Sequence, residues 1–224
     1  MGSDDLFHRR KARLARSHRR EMAKRAPYER VLIVCEGTKT EPDYFREFRN
    51  DLGLNPANVV IEDRKSGLDP NRLVDFALQT FNKGRDFDDI FCVFDKDKHA
   101  SYAAALAKIR TSRQRGARLH AVTSVPCFEI WLLLHFAYTT RSFVAAGGNS
   151  NCDLVVRELR RKGYLLDYEK GKPGLFPMLR DRLDTAITNA IRLEVFHKTS
   201  GTDNPSTEVH KLISHLKGLE RSKG

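Results

Sequence analysis

Two stretches of the chain end in acids where a metal ion could be held. The first, Val31-Leu32-Ile33-Val34-Cys35, is an unbroken apolar run that leads into Glu36 and Gly37. The second, Ile90-Phe91-Cys92-Val93-Phe94, leads into Asp95-Lys96-Asp97. Continuous rather than alternating apolar residues predict strands buried on both faces. In an open α/β sheet, ligands collect outside the carboxyl ends of such strands. Asp95 and Asp97 stand two apart on an extended chain, so both lie on one side and can converge on one cation. Three gathered carboxylates would repel one another unless some stayed protonated. A Mg²⁺ or Mn²⁺ ion relieves that repulsion and can neutralise a phosphodiester under attack. Glu36, Asp95 and Asp97 are therefore the first candidate metal ligands.

Three further side chains belong to the same chemistry. Glu41 falls in the first turn of the next predicted helix, where the helix dipole favours an acid in any case, and it is close enough in sequence to Glu36 to assist a metal. Asp43 is a weaker version of the same idea. Glu129 lies in the apolar segment 127–136, where a carboxylate is costly unless paired or functional. It reads either as a hydrogen-bond partner of loop backbone or as a further metal ligand or water-orienting base.

The elements that must position these groups alternate along the chain. Strands are expected near 30–35, 59–61, 89–94 and 119–124, and helices near 41–52, 70–82 and 100–114. That order predicts a largely parallel α/β sheet. Pro42 sits in the first turn of its helix, where a missing N–H costs nothing. Gly37 is expected to ease the turn after the first strand. Residues 127–136 read as a buried helix with Trp131 in the core, and 152–162, 175–195 and 205–217 as further helices, the last starting at Asn204-Pro205. The layout is a basic flexible arm (1–26), an α/β core (27–146) and a helical C-terminal region packed on it (147–224).

Four pieces of sequence carry a resemblance. They are Val34-Cys35-Glu36-Gly37-Thr38-Lys39-Thr40-Glu41-Pro42-Asp43-Tyr44-Phe45, Phe94-Asp95-Lys96-Asp97, Pro126-Cys127-Phe128-Glu129-Ile130-Trp131-Leu132-Leu133 and Asn204-Pro205-Ser206-Thr207. The first two resemble the acidic motifs of Toprim domains, and all four in order resemble the RloB-like family of phage-defence proteins, from about residue 31 to the C-terminus. The resemblance implies a Toprim-like Rossmannoid core. It also implies metal binding by Glu36, Asp95 and Asp97, with Glu36 able to act as acid or base, and it includes Glu41. A lysine that steadies the scissile phosphate is implied as well, with Lys198 the candidate. A separately encoded ATPase partner is implied too. His99 stands where topoisomerases and primases of this type carry a third acid, which speaks against those activities.

Composition fits a nucleic-acid partner. The 224 residues carry 40 Lys+Arg against 29 Asp+Glu, a formal charge of +11, and such an excess favours polyanions. The arm holds nine basic residues, among them Arg9, Arg10, Lys11, Arg13, Arg16, Arg19 and Arg20, against three acids. It is expected to grip phosphates without reading sequence, and Lys39 could touch phosphate beside the metal. The four cysteines show no C-x-x-C pairing, which excludes a zinc finger or secreted disulfide scaffold. The longest apolar run, Ile130 to Leu134, is too short to span a membrane. With no secretory leader, a cytoplasmic setting is expected. No P-loop pattern is present, so ATP dependence would come from the partner. The sequence thus predicts a metal-dependent nuclease acting on DNA or RNA in phage defence, with homo-oligomerisation left open. The alternative is a non-catalytic nucleic-acid-binding or adaptor module of a defence complex.

Overall fold

In the computed structural model, the described residues are 29–63, 68–84, 86–96, 99–112, 116–161 and 163–221. Five strands form one sheet in the order β2-β1-β3-β4-β5. They are β1 (Val31–Cys35), β2 (Val59–Glu62), β3 (Asp89–Asp95), β4 (Arg118–Val125) and β5 (Ser206–Thr207). The first four run parallel, and β5 pairs antiparallel with the end of β4. The chain is α/β with a mostly parallel sheet, as the alternating pattern predicts.

The connections put helices on both faces. Helices α1 (Thr40–Asp51), α2 (Pro70–Gly84), α3 (Tyr102–Thr111), α4 (Glu129–Leu134), α5 (Asn151–Leu159), α6 (Leu175–Leu179), α7 (Leu183–Ser200) and α8 (Val209–Arg221) follow in chain order. Leu32, Val34, Ile90, Cys92 and Phe94 pack against Leu73, Val74 and Ala77 of α2 and Ala105 and Ile109 of α3. The intervening strand residues Val31, Ile33, Cys35, Phe91 and Val93 face the other way, onto α1, α4 and the C-terminal helices. Because the chain leaves β1 towards β2 and returns across it to β3, the connections that follow the two central strands turn to opposite faces at their carboxyl ends. Such a reversal of strand order leaves a crevice.

The helix signals are local and mostly legible. Pro42 lies in the first turn of α1, with Glu41 and Asp43 beside it and Arg49 in the last turn, each charge favoured by the dipole. Tyr44, Phe45 and Phe48 form its buried stripe. Asp69 caps α2, its Oδ1 accepting the N–H groups of Asn71 at 3.1 Å and Arg72 at 3.3 Å. Ser150 and Asp153 close a capping box on α5. Every residue of α4 is buried, Trp131 included.

Two expectations change. The span 175–195 is not one helix: α6 packs on α1 and α7 on α4, with a 3₁₀ turn at Arg180–Arg182 between them. Asn204-Pro205 starts no helix. The Asn204 side chain accepts the Phe143 N–H at 3.1 Å and donates to the Phe143 carbonyl at 2.9 Å. That pairing leads the chain into β5, and α8 begins only at Val209. A C-terminal segment thus completes the sheet, and one hydrophobic cluster runs from β1 and β3 through α4 to α8. Among the described residues, no helix is long and apolar enough to cross a membrane.

Candidate metal centre

The crevice at the ends of β1 and β3 is where the acids meet. Backbone pairing continues past β1, with the Glu36 N–H donating to the Val93 carbonyl at 2.9 Å. This holds Glu36 against β3, and its Oε2 accepts the Asp95 N–H at 2.9 Å. The other oxygen, Oε1, lies 2.8 Å from His99 Nε2. His99 thus replaces the expected third acid with a hydrogen-bonding partner for the first.

Glu41 folds back over the turn. A Cβ placed on Gly37 would collide with the Glu41 carboxylate, while Gly37 has no positive φ. The glycine is needed for side-chain space above it and not, as expected, for the turn. Burial, reinforced by the charges of Glu129 and Glu36, pushes the Glu41 carboxyl up to about 7. Asp95 is driven well above the usual carboxylate range by burial and by Glu41, Glu129 and Glu36. Each acid therefore stands within the field of the others.

Glu129 enters from α4, just after β4, with only 3% of its surface exposed. Of the two readings, loop backbone is not what holds it. Its Oε1 accepts the Tyr168 hydroxyl at 2.9 Å and lies 3.3 Å from Lys170 Nζ. Burial works against the Lys170 charge, but the Glu129 carboxylate outweighs it and raises the lysine pKa. Burial and the same carboxylate also raise the Tyr168 hydroxyl.

The loop bearing Tyr168 and Lys170 is pinned from three sides. Arg160 Nε donates to the Tyr168 carbonyl at 2.8 Å, and the Gly171 N–H donates to Thr40 Oγ1 at 2.9 Å. Glu47 of α1 accepts the N–H groups of Gly174 at 2.6 Å and Phe176 at 2.8 Å. Lys39 lays its aliphatic stem on Gly171, where a Cβ would strike it.

The structure thus brings Glu36, Glu41, Asp95 and Glu129 to one sheet edge, with Lys39 beside the loop that covers it. Asp97 and the arm residues Arg9, Arg10, Lys11, Arg13, Arg16, Arg19 and Arg20 lie outside the described residues. Asp43 is engaged with Arg46 at 3.0 Å. Lys198 is not brought to the acids through any contact described. It is exposed near the end of α7, 3.9 Å from Glu194. Sequence reasoning missed Tyr168 and Lys170, whose local signal is only a cationic, glycine-bounded turn, Lys170-Gly171-Lys172-Pro173-Gly174.

A second charged cluster lies at the opposite end of β3. Ligand atoms of Glu29, Asp89 and His215 all fall within 4.8 Å of one another. Arg118 already occupies this spot, donating to Asp89 at 2.8 and 2.5 Å, and His120 Nε2 lies 2.6 Å from the same carboxylate. Burial opposes ionisation of Asp89, but these partners hold its carboxyl below the usual range. A guanidinium in contact with both oxygens makes this an ion-pair network. Among the strand-end acids, the raised carboxyls of Glu41 and Asp95 fit a divalent ion that would relieve them.

A family model for RloB-like protein matches residues 31–216. The chain belongs to the RloB-like family. Comparisons with curated proteins and with solved structures find no match. The matched span begins at β1 and ends within α8, so it contains every element of the candidate centre.

Proposed function

We propose that this RloB-like protein is a metal-dependent nuclease of Toprim type that hydrolyses phosphodiester bonds in DNA or RNA. The observation that carries the reading is the meeting of four acids from β1, α1, β3 and α4, two of them held towards their protonated forms. Glu36, Asp95 and Glu41 would hold Mg²⁺ or Mn²⁺, and Asp97 joins them on its sequence position. The ion, when bound, supplies Lewis acidity and a water of lowered pKa.

The chain's own residues divide the remaining work. Glu36 takes the proton of the attacking water, its Oε2 steadied by the Asp95 N–H and its Oε1 by His99. Glu129 orients groups above the ion through Tyr168. Lys170, exposed on its outer side and paired to Glu129 on its inner side, meets the negative charge of the phosphate in the transition state. Lys39 and the basic arm bind backbone phosphate further along the strand. The family suggests a setting in phage defence and a separately encoded ATPase that gates the site.

The test is cleavage of single- and double-stranded DNA and RNA with Mg²⁺ or Mn²⁺, wild type beside Asp95→Asn. Cutting by wild type that Asn abolishes supports the reading. Equal trace cutting by both, with no Mn²⁺ uptake by wild type, would replace it with a non-catalytic adaptor.

A further inference from the structure

A cavity of about 390 Å³ opens on the other face of the sheet, at the edge formed by β4 and β5. Thr123 and Val125 of β4 and Ser206 of β5 make one wall, and Tyr102 and Leu106 of α3 the other. Glu194 and His197 of α7, Glu208 just before α8 and Lys211 of α8 close it. It shares the carboxyl edge of the sheet with the acids but opens on the opposite face. Asp95 pairs in register with Ser124, so the cavity wall is about one strand spacing, ~4.8 Å, from the strand that carries Asp95. Lys96 stands at the divide: its N–H donates to the Ser124 carbonyl at 2.9 Å, and its ammonium lies 2.5 Å from Asp203, which lines the cavity.

We propose that this cavity receives one unpaired nucleobase carrying an exocyclic amine, from the strand whose phosphate lies at the carboxylates. The inference rests on the nuclease reading and adds a substrate class to it. Size is the first argument, because the volume is at the lower end of the ~300–1,000 Å³ of small-molecule sites. A base and its sugar fit within such a volume. Wall chemistry is the second. Tyr102, Leu106 and Val125 offer one aromatic and two aliphatic surfaces of the kind on which an extruded base stacks.

The polar rim decides which bases. Three carboxylates, Asp203, Glu194 and Glu208, stand in the lining beside Arg110, His197 and Lys211. Each is already met by a cation, Asp203 by Lys96, Glu194 by Lys198 and Lys211, and Glu208 by Lys211, and each can only accept. Glu208 already takes the Thr123 hydroxyl at 3.0 Å and Lys211 at 2.8 Å, and a carboxylate has further lone pairs to offer. Carboxylates receive the amines of cytosine, adenine or guanine, as they do in groove readout of cytosine. The exocyclic groups of uracil and thymine are carbonyls, which cannot donate to a carboxylate. Lys211 lines the cavity beside Glu208, and Lys96 is paired to Asp203, so a flanking phosphate would meet a cation at either. The substrate must therefore be single-stranded, or must flip a base out of its stack.

The test has two arms. In the first, the full chain without divalent metal is titrated with 5′-CMP, 5′-AMP, 5′-GMP and 5′-UMP by NMR. Wild type and Asp95→Asn are expected to bind the amine-bearing nucleotides at least about tenfold more tightly than UMP. Leu106→Trp, which fills the cavity, should lose that binding, and Glu208→Gln, a near-isosteric change, should narrow the preference. In the second arm, single strands bearing one abasic site at successive positions are cut by wild type and Leu106→Trp. One position should slow wild type at least about tenfold and leave Leu106→Trp unaffected. Failure of all four nucleotides to bind, or binding untouched by Leu106→Trp, would overturn the pocket. Selective nucleotide binding with equal cleavage of every abasic strand would overturn its assignment to the substrate strand and leave a free-nucleotide site. Selective binding without cleavage of any strand would instead sink the nuclease reading.

Discussion

Glu41→Gln isolates the electrostatic strain at the candidate centre. In the folded chain the Glu41 carboxyl is raised from 4.5 to about 7 by burial and by Glu129 and Glu36. A carboxyl with a raised native pKa binds its proton more tightly when folded. Its contribution is fully present below the unfolded pKa and is lost as pH climbs through the native one. Across the interval from 4.5 to about 7, that loss amounts to about 3 kcal/mol. Glutamine keeps the shape and cannot ionise. Without divalent metal the variant should match wild type near pH 4.5 and exceed it by up to about 3 kcal/mol at pH 8, or ~5–10 °C in Tm for a chain of this size. A pH dependence from Asp95, raised for the same reasons, should survive in the variant. Urea unfolding across that pH range in EDTA measures the difference. Excess Mg²⁺ should then stabilise wild type at pH 8 more than the variant, since the ion binds the ionised native form. A variant less stable than wild type at pH 8 in EDTA, or a difference independent of pH, would refute the reasoning.

Two further substitutions separate positioning from chemistry. Gly37→Ala should fold with a modest stability loss of about 1 kcal/mol, because the flexible end of Glu41 can swing aside, but it should weaken Mn²⁺ binding at least about tenfold. Unchanged Mn²⁺ affinity by isothermal titration would show that Glu41 is no ligand. Lys170→Gln removes a charge that competes with the ion for Glu129, so Mn²⁺ affinity should hold or rise while cleavage falls about 100-fold. Parallel loss of both would assign Lys170 to holding the site together and not to the phosphate.

What the sequence shows of this site follows from how far each signal reaches. The strands bearing Glu36 and Asp95 announce themselves because burial on both faces demands a continuous apolar run, visible in five or six adjacent residues. Glu129 is conspicuous for the opposite reason, as one acid among apolar neighbours in α4. Strand β5 has only two residues, too few for any period, and its pairing with β4 depends on Asn204 meeting Phe143 from 61 residues away. The break between α6 and α7 has the same origin, since each half answers to a different packing partner. Among 40 cationic residues, nothing local separates Lys170 from Lys198. What distinguishes them is the anchoring of the 168–174 loop on Thr40, Glu47 and Arg160, a wholly tertiary fact.

That anchoring ties the centre to the whole fold. Glu36, Glu41 and Asp95 come from the first third to half of the chain and could be gathered by β1, α1 and β3 alone. Doing so would concentrate negative charge at a buried edge with little to offset it. Glu129 adds another acid, and its hydroxyl and ammonium partners arrive only when residues 165–174 dock on α1. Docking in turn needs α5, which presents Arg160, and α6, whose first N–H groups are taken by Glu47. The C-terminal helices therefore do more than bury the face of the sheet. They deliver the cation that makes a buried Glu129 tolerable. An edge so arranged holds Glu41 and Asp95 towards their protonated forms, which is the physical basis for seeking metal there and not at Asp89, where Arg118 has already closed the account.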